Sequence, residues 1–256
     1  TFEMVEAFEY QDGSEGKIDI GQSFETTYEM FQGKDPRFLA SIYVPGSSLL
    51  GSTMQFQRGL ILKDGSKYYA QSAPGPSYLL ETYIDPETQR KDTIFGKDGG
   101  TYTGDASKTG FNIRKFVNEN LKTEAQWDFG KTETSFPIFR LAEVYLNLAE
   151  AAVEMGKYQT EAFEAIKKIR DRAGVVTPFA VVDVEKVRHE RQVELAFEGH
   201  RFWDMKRWRI AHLPVDQGGL NGFRGAGLHP FFDLRIRKYV FEVANDLPKR
   251  QRVFTE

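Results

Sequence analysis

The chain has 256 residues, with 34 basic side chains against 37 acidic ones and no cysteine. That near balance gives no electrostatic footprint for nucleic acid, and the missing cysteines exclude disulfides, thiolate catalysis and cysteine-based zinc centres. No stretch approaches the roughly 18 apolar residues a membrane-crossing helix needs, and no cationic start followed by an apolar run marks a leader. Thr1 in place of an initiator methionine, and the abrupt end after Phe254-Thr255-Glu256, read as a piece of a larger protein.

The first 130 or so residues are punctuated by Pro45-Gly46-Ser47-Ser48, Ala73-Pro74-Gly75-Pro76-Ser77, Gly96 to Gly100 and Gly104-Asp105, clusters that favour turns. A helix is expected near Ser23–Phe31, and short strands at Ser41–Val44, Gln55–Leu62 and Lys67–Gln71. From Pro137 the period changes. Ile138, Leu141, Ala142, Tyr145, Leu148, Ala149 and Ala152 fall at helical spacing, with Glu143, Asn147, Glu150 and Glu154 opposite, and Gly156 as the stop. A second helix over about Glu161–Arg172 buries Ala162, Ala165, Ile166 and Ile169 and ends at Gly174. The pair predicts one tetratricopeptide-type hairpin, with alanines letting the backbones approach closely. No further copy is visible at a 34-residue period. Asp183 caps a third helix running to Phe197, Gly199 ends it, and a fourth covers about Phe202–Ile210. Gly218-Gly219 and Gly225-Ala226-Gly227 mark loops before one strand over Asp233–Val243. The expected organisation is a loop-rich ligand-binding region with short strands (1–135), a helical scaffold (136–211) and a loop and strand segment (212–256), packed as one domain.

The run from Glu190 to Trp208 interleaves charges with Phe197, Phe202, Trp203 and Trp208. Glu190, Glu194 and Glu198 share one helical face and would repel if unpaired, but Arg188, Arg191, Arg201 and Arg207 are near enough to neutralise them. Two chemistries fit such carboxylates: an acid–base pair for glycoside hydrolysis, or an ion-pair scaffold joining the third and fourth helices. The density of counter-ions favours the scaffold. His189-Glu190-Arg191-Gln192-Val193 departs from the zinc pattern H-E-x-x-H at Val193, and His189, His200, His212 and His229 have no other metal spacing. Calcium held by a loop around Asp98 or Asp105 stays open, without an EF-hand pattern to support it. Nucleophile elbows, Walker loops and dinucleotide fingerprints are missing, so no cofactor is expected.

The same run closely resembles the ER-x-x-EL-x-FEG-x-R-aromatic-x-D-x-x-RW signature of the SusD/RagB-like outer-membrane nutrient-binding lipoproteins. Phe136 to Ala151 resembles that family's R-x-AE-x-YL-x-x-AEA helix, and Ile169-Arg170-Asp171-Arg172-Ala173-Gly174 its IR-x-RAG ending. Asp35-Pro36-Arg37 resembles its DPR turn, and Gly110-Phe111-Asn112-Ile113-Arg114-Lys115-Phe116 its G-aromatic-x-x-RKF strand. The motifs occur in the family's order over Asp35–Trp208. The family's lipid-bearing cysteine, its first helical repeats and its carboxy-terminal end have no match, and residues 215–256 carry no family motif.

The resemblance implies a mainly α protein of tetratricopeptide-like helical hairpins, with a loop-rich region that binds ligand. It implies a lipoprotein on the outer face of a Bacteroidetes-type outer membrane, anchored only through its lipid. Its partner would be a TonB-dependent transporter of the SusC/RagA type, to which it hands an oligosaccharide, or sometimes a peptide, without cleaving it. A glycoside hydrolase and a protein-interaction scaffold are the competing readings. In the scaffold role stand Arg140, Glu143, Glu150, Arg170, Glu190, Arg191, Glu194, Glu198, Arg201, Asp204 and Trp208, with Trp203 and Trp208 expected in the core. Sugar recognition needs flat aromatic faces beside hydrogen-bonding groups. Among Tyr68, Tyr69, Tyr78, Tyr83, Phe95, Tyr102, Trp127 and Phe129 of the loop-rich half, Trp127 between Gln126 and Asp128 is the first candidate, followed by Tyr78, Tyr102 and Tyr83.

Overall fold

The computed structural model describes residues 1–69, 82–98, 107–120, 134–214, 217–220 and 225–244. Helix α1 (Phe2–Ala7) turns Phe2 and Val5 inward. The helix expected over Ser23–Phe31 shrinks to a 3-10 turn at Glu29–Phe31. Helix α2 (Pro36–Ser41) begins as its sequence dictates: Pro36 fills the first turn, where its missing N–H is not needed, and the Asp35 carboxylate accepts from the Arg37 backbone N–H.

Short strands follow: β1 (Ile42–Tyr43), β2 (Ser48–Leu49), β3 (Ser52–Thr53), β4 (Gly59–Ile61), β5 (Lys67–Tyr69), β6 (Thr82–Ile84), β7 (Lys91–Thr93) and β8 (Asn112–Ile113). β1 and β4 sit inside predicted stretches, shorter than expected, and β5 lies in the third, whose last two residues are outside the described ones. β8 pairs antiparallel with β1 and is reached through Gly110, whose φ of +78° favours glycine. A Cβ there would stand 2.1 Å from the Leu228 carbonyl oxygen.

The helical half comprises α3 (Leu141–Glu154), α4 (Gln159–Ala173), α5 (Val184–Glu194) and α6 (His200–Arg207). α3 starts later than Pro137 because Arg140 keeps an extended backbone at the cap, with φ −150° and ψ 160°. Gly174 closes α4 at φ +75°, and the Asp183 carboxylate caps α5 by accepting from the Lys186 N–H. α5 ends at Glu194, earlier than Phe197, since Phe197 and Gly199 adopt φ of +66° and +82°. That break turns the chain into α6.

α3 and α4 pack through Ala149, Ala152, Ala162 and Ala165, with Leu146, Ile166, Ile169, Val187 and Leu195 completing one core. The buried face of α3 differs from the predicted stripe. Ile138, Leu141 and Leu148 are exposed, while the polar side bearing Glu143, Asn147 and Glu150 meets α5 and α6. Small alanines decide this, because they admit a neighbouring backbone that the bulkier Leu141 and Leu148 would hold off.

The expected strand over Asp233–Val243 is two strands, β9 (Gly227–Asp233) and β10 (Lys238–Ala244). The Asp233 carboxylate accepts from the Arg235 N–H, and Arg237 takes φ +58°, which makes a hairpin turn without glycine. β4 joins β9 in parallel, giving a sheet ordered β10-β9-β4-β5. A second core of phenylalanines (Phe8, Phe31, Phe38, Phe111 and Phe241) links this sheet to α1, α2 and α5. Helices hold 31 % and strands 19 % of the described residues, so the expectation of a mainly α fold holds in part: the α3–α4 hairpin is there, and the four-stranded sheet adds more strand than foreseen.

Candidate ligand-binding site

Two arrangements of polar groups stand out: a buried ion-pair network and an open polar groove beside it. The network starts at α5, whose four-residue spacing puts Glu190 and Glu194 on one face, with Glu198 just past the break. The Arg37 guanidinium donates to Glu190 at 2.5 Å, to Glu194 at 2.9 Å and to Asp35 at 2.7 Å. Arg140 donates to Glu194 at 2.5 Å and Glu198 at 2.7 Å, and Arg172 reaches Glu194 at 2.7 Å. Arg170, almost wholly buried, joins Glu190 at 3.1 Å to Glu9 at 2.5 Å. Lys115 pairs with Glu198 at 2.5 Å and caps the end of α5 by donating to the Glu194 and Ala196 carbonyls.

Burial alone would push the Glu194 carboxyl up, yet hydrogen bonds from Arg140 and Arg37 outweigh it and hold the group below the usual range. Burial likewise opposes, and Arg140 and Lys115 overcome, at Glu198. Burial lowers Lys115, against the pull of Glu198. General-acid chemistry needs a raised carboxyl pKa, which neither glutamate has; both are held as anions by their cationic partners.

On the other side of Lys115 lies a groove of 890 Å³ lined by Leu39, Ala40, Arg114, Asn118, Glu119 and Asn120, among others. Arg114 and Glu119 also line a neighbouring hollow of 530 Å³ with Tyr28, Ser47 and Ser48. Arg114 is held in place: its guanidinium lies 5.3 Å from the Tyr43 ring, meets Glu119 at 2.8 Å and donates to the Leu39 carbonyl. The Tyr43 hydroxyl donates to Glu119 at 2.7 Å; burial first, then that carboxylate, push the phenol's pKa up. Both members of the Arg114–Glu119 pair are about one-third exposed, so each has hydrogen-bonding edges open to a ligand.

Most of the predicted scaffold residues meet: Arg140, Arg170, Glu190, Glu194 and Glu198 form the network above. Arg191, Asp204, Glu150 and Trp208 form a second cluster. Arg191 donates to Asp204 at 3.0 Å, Arg207 bridges Asp204 and Glu150, and the Trp208 indole N–H donates to Glu150 at 2.6 Å. Glu143 faces His200 at 3.8 Å, and Arg201 lies 5.8 Å from the Trp208 ring. The expectation of a core tryptophan fails at Trp203, which is 65 % exposed on the outer side of α6 beside Phe202. Trp208 is half-buried.

Of the sugar candidates, Tyr78, Tyr102 and Trp127 lie outside the described residues, as does Asp105. Tyr83 packs 5.8 Å from Tyr68 in a small apolar cluster, away from the groove. Asp98 uses its carboxylate to accept from the Gln55 N–H, and the described residues contain no cluster of three or more metal-ligating side chains. Of the groove residues, Arg114 falls in the RKF motif without a ligand role assigned to it, and Asn118, Glu119 and Asn120 are not singled out by sequence. The signal available was the polar Asn118-Glu119-Asn120 run directly after the RKF strand.

No helix among the described residues is long and apolar enough to cross a membrane. Two SusD-like proteins of Formosa agariphila are similar to parts of the chain: one is 31 % identical over 101 residues and the other 39 % over 80. Those matches cover 35 % and 28 % of this chain, and only 20 % and 15 % of the relatives' lengths. A SusD-like protein from Bacteroides fragilis aligns with the whole chain and 41 % of its own length, at 26 % identity and a TM-score of 0.60. A SusD-like carbohydrate binding protein from the same species aligns with 82 % of the chain and 35 % of its own, at 27 % identity and a TM-score of 0.55. The chain thus spans well under half the length of these proteins. The SusD family model matches residues 1–241, and with the buried Arg–Glu lattice built from the family's motif positions, this chain belongs to the SusD family.

Proposed function

We propose that the chain is the ligand-holding part of a non-catalytic oligosaccharide-capture protein. It would act at the outer face of an outer membrane, tethered by a lipid anchor and handing glycan to a TonB-dependent transporter. Family membership supports the class, and the carbohydrate binding named for one structural relative supports the ligand. The observation that carries the reading here is the groove at Arg114 and Glu119. It is open, polar, and lined by amide, hydroxyl and guanidinium groups suited to sugar hydroxyls. A non-catalytic role fits the carboxylates of the charged run, each consumed by arginine or lysine partners.

The test is calorimetric titration of neutral and acidic oligosaccharides, with reducing-end release assayed in the same samples. Micromolar-range binding without release is expected, and Asn118→Ala should weaken it by roughly two- to tenfold, the worth of one hydrogen bond. Release of reducing ends would overturn the non-catalytic reading, and binding of peptides but no sugar would overturn the ligand class.

A further inference from the structure

Trp208 is the centre of a group of charges that, unlike the Glu194 network, does not balance. Arg188, Arg201 and Arg207 lie against its ring and Glu150 accepts its indole N–H, while Arg191 and Asp204 join the group through each other and through Arg207, so four arginines meet two carboxylates with a surplus of two positive charges. The carboxylates are fully used. Asp204 takes Arg191 on both oxygens and Arg207 as well, while Glu150 takes Arg207 and the indole N–H. Arg188 and Arg201 have no acidic side chain in hydrogen-bonding contact among the described residues, although each guanidinium lies against the same indole, at 4.9 and 5.8 Å. Arg188 Nε is buried with no acceptor. Burial lowers the Arg201 pKa; the Asp204 charge opposes that shift and the Arg188 charge adds to it, so the two cations feel each other.

Partly desolvated guanidiniums without a counter-ion are costly, and a planar fork stacked on an aromatic ring presents its edge for two parallel bonds to an oxyanion. We propose that Arg188 and Arg201, laid against the Trp208 indole, form a binding site for an oxyanion: a sulfate, phosphate or carboxylate group. The exposed Phe202–Trp203 pair, at 41 % and 65 % exposure, begins one residue from Arg201 and offers apolar surface to the organic part of such a ligand. The site does not rest on the sugar reading, since a protein that ignored every neutral glycan would still bind here.

The experiment is a titration of ¹⁵N-labelled protein with sodium sulfate, and separately sodium acetate, at fixed ionic strength, following the arginine Nε–H signals. Saturable shifts confined to Arg188, Arg201 and the Trp208 indole are expected, with the exposed Arg90 unmoved as internal control. Arg188→Gln and Arg201→Gln should each weaken the binding by about tenfold or more, the loss of one charge-assisted contact. Saturation by sulfate but not acetate assigns a doubly charged group, and saturation by both a general oxyanion. Non-saturating shifts, or equal shifts at Arg90, overturn the site in the wild-type protein, whether or not the variants fold. Unchanged affinity in a folded double variant overturns it too.

Discussion

Glu194→Ala removes the acceptor that three arginines share, Arg37, Arg140 and Arg172. In the wild-type network five cations (Arg37, Lys115, Arg140, Arg170, Arg172) face five anions (Glu9, Asp35, Glu190, Glu194, Glu198), and the substitution leaves one positive charge unmatched. Stripping one partner from a buried pair costs about 3–5 kcal/mol. Here Arg37 keeps Asp35 and Glu190, Arg140 keeps Glu198, and Arg172 is 60 % exposed and can return to water. The expected loss therefore lies at the lower end, about 3 kcal/mol. For a chain of this size each kcal/mol lowers the melting temperature by roughly 2–4 °C, so a fall of about 6–12 °C should appear in calorimetry, with a matching shift in urea midpoint. Arg172→Ala, by contrast, removes a largely solvated partner and should cost under about 1 kcal/mol. A Glu194→Ala protein melting within 2 °C or so of wild type, or no more affected than Arg172→Ala, would refute the buried network.

Two other expectations follow from the burial of these charges and of the phenylalanine core. Glu150, Glu194 and Glu198 are held below their ordinary value of 4.5, so the unfolded chain takes up protons there before the folded one does. Stability should be full above pH 4.5 and fall as the pH drops through the depressed native values; a melting temperature that rises between pH 5 and pH 3.5 or so would contradict this. Phe31 is fully buried with the rings of Phe38, Phe111 and Phe241 near 6 Å, and Phe31→Ala should cost about 3–5 kcal/mol in denaturant unfolding, a loss below 1 kcal/mol arguing for a collapsible site.

Much of the helical half is legible from local rules. The Asp183 cap, the Gly174 stop and the four-residue spacing of Glu190, Glu194 and Glu198 act over one or two turns, so periodicity and capping alone place α4 and α5. The motif run foretells that the carboxylates need counter-ions but points to the wrong ones. Among the described residues, Arg188, Arg191, Arg201 and Arg207 make no ion pair with Glu190, Glu194 or Glu198, whose partners Arg37, Lys115, Arg140, Arg170 and Arg172 arrive from other segments of the chain. Several features escape such reading. α3 carries two apolar stripes, and only the approach of α4 shows that Leu146 and the alanines go inside while Leu141 and Leu148 stay out. The turn between β9 and β10 contains no glycine, asparagine or proline and depends on the Asp233 side chain and a strained Arg237. Trp203 is expected in the core from its place in the family's motif run, yet the helical phase of α6 points it outward once Asp204 and Met205 are buried.

The sequence by itself determined the family, the charged motifs and the helices, since these rest on neighbours a few residues apart. Tertiary structure alone decided which charges balance and which remain over. Arg37 meets Glu190 across 153 positions and β4 pairs in parallel with β9, contacts set by loop closure and packing rather than by local pattern. The groove at Arg114 and Glu119 and the surplus arginines at Trp208 belong to that second kind, because each requires segments distant in the chain to converge.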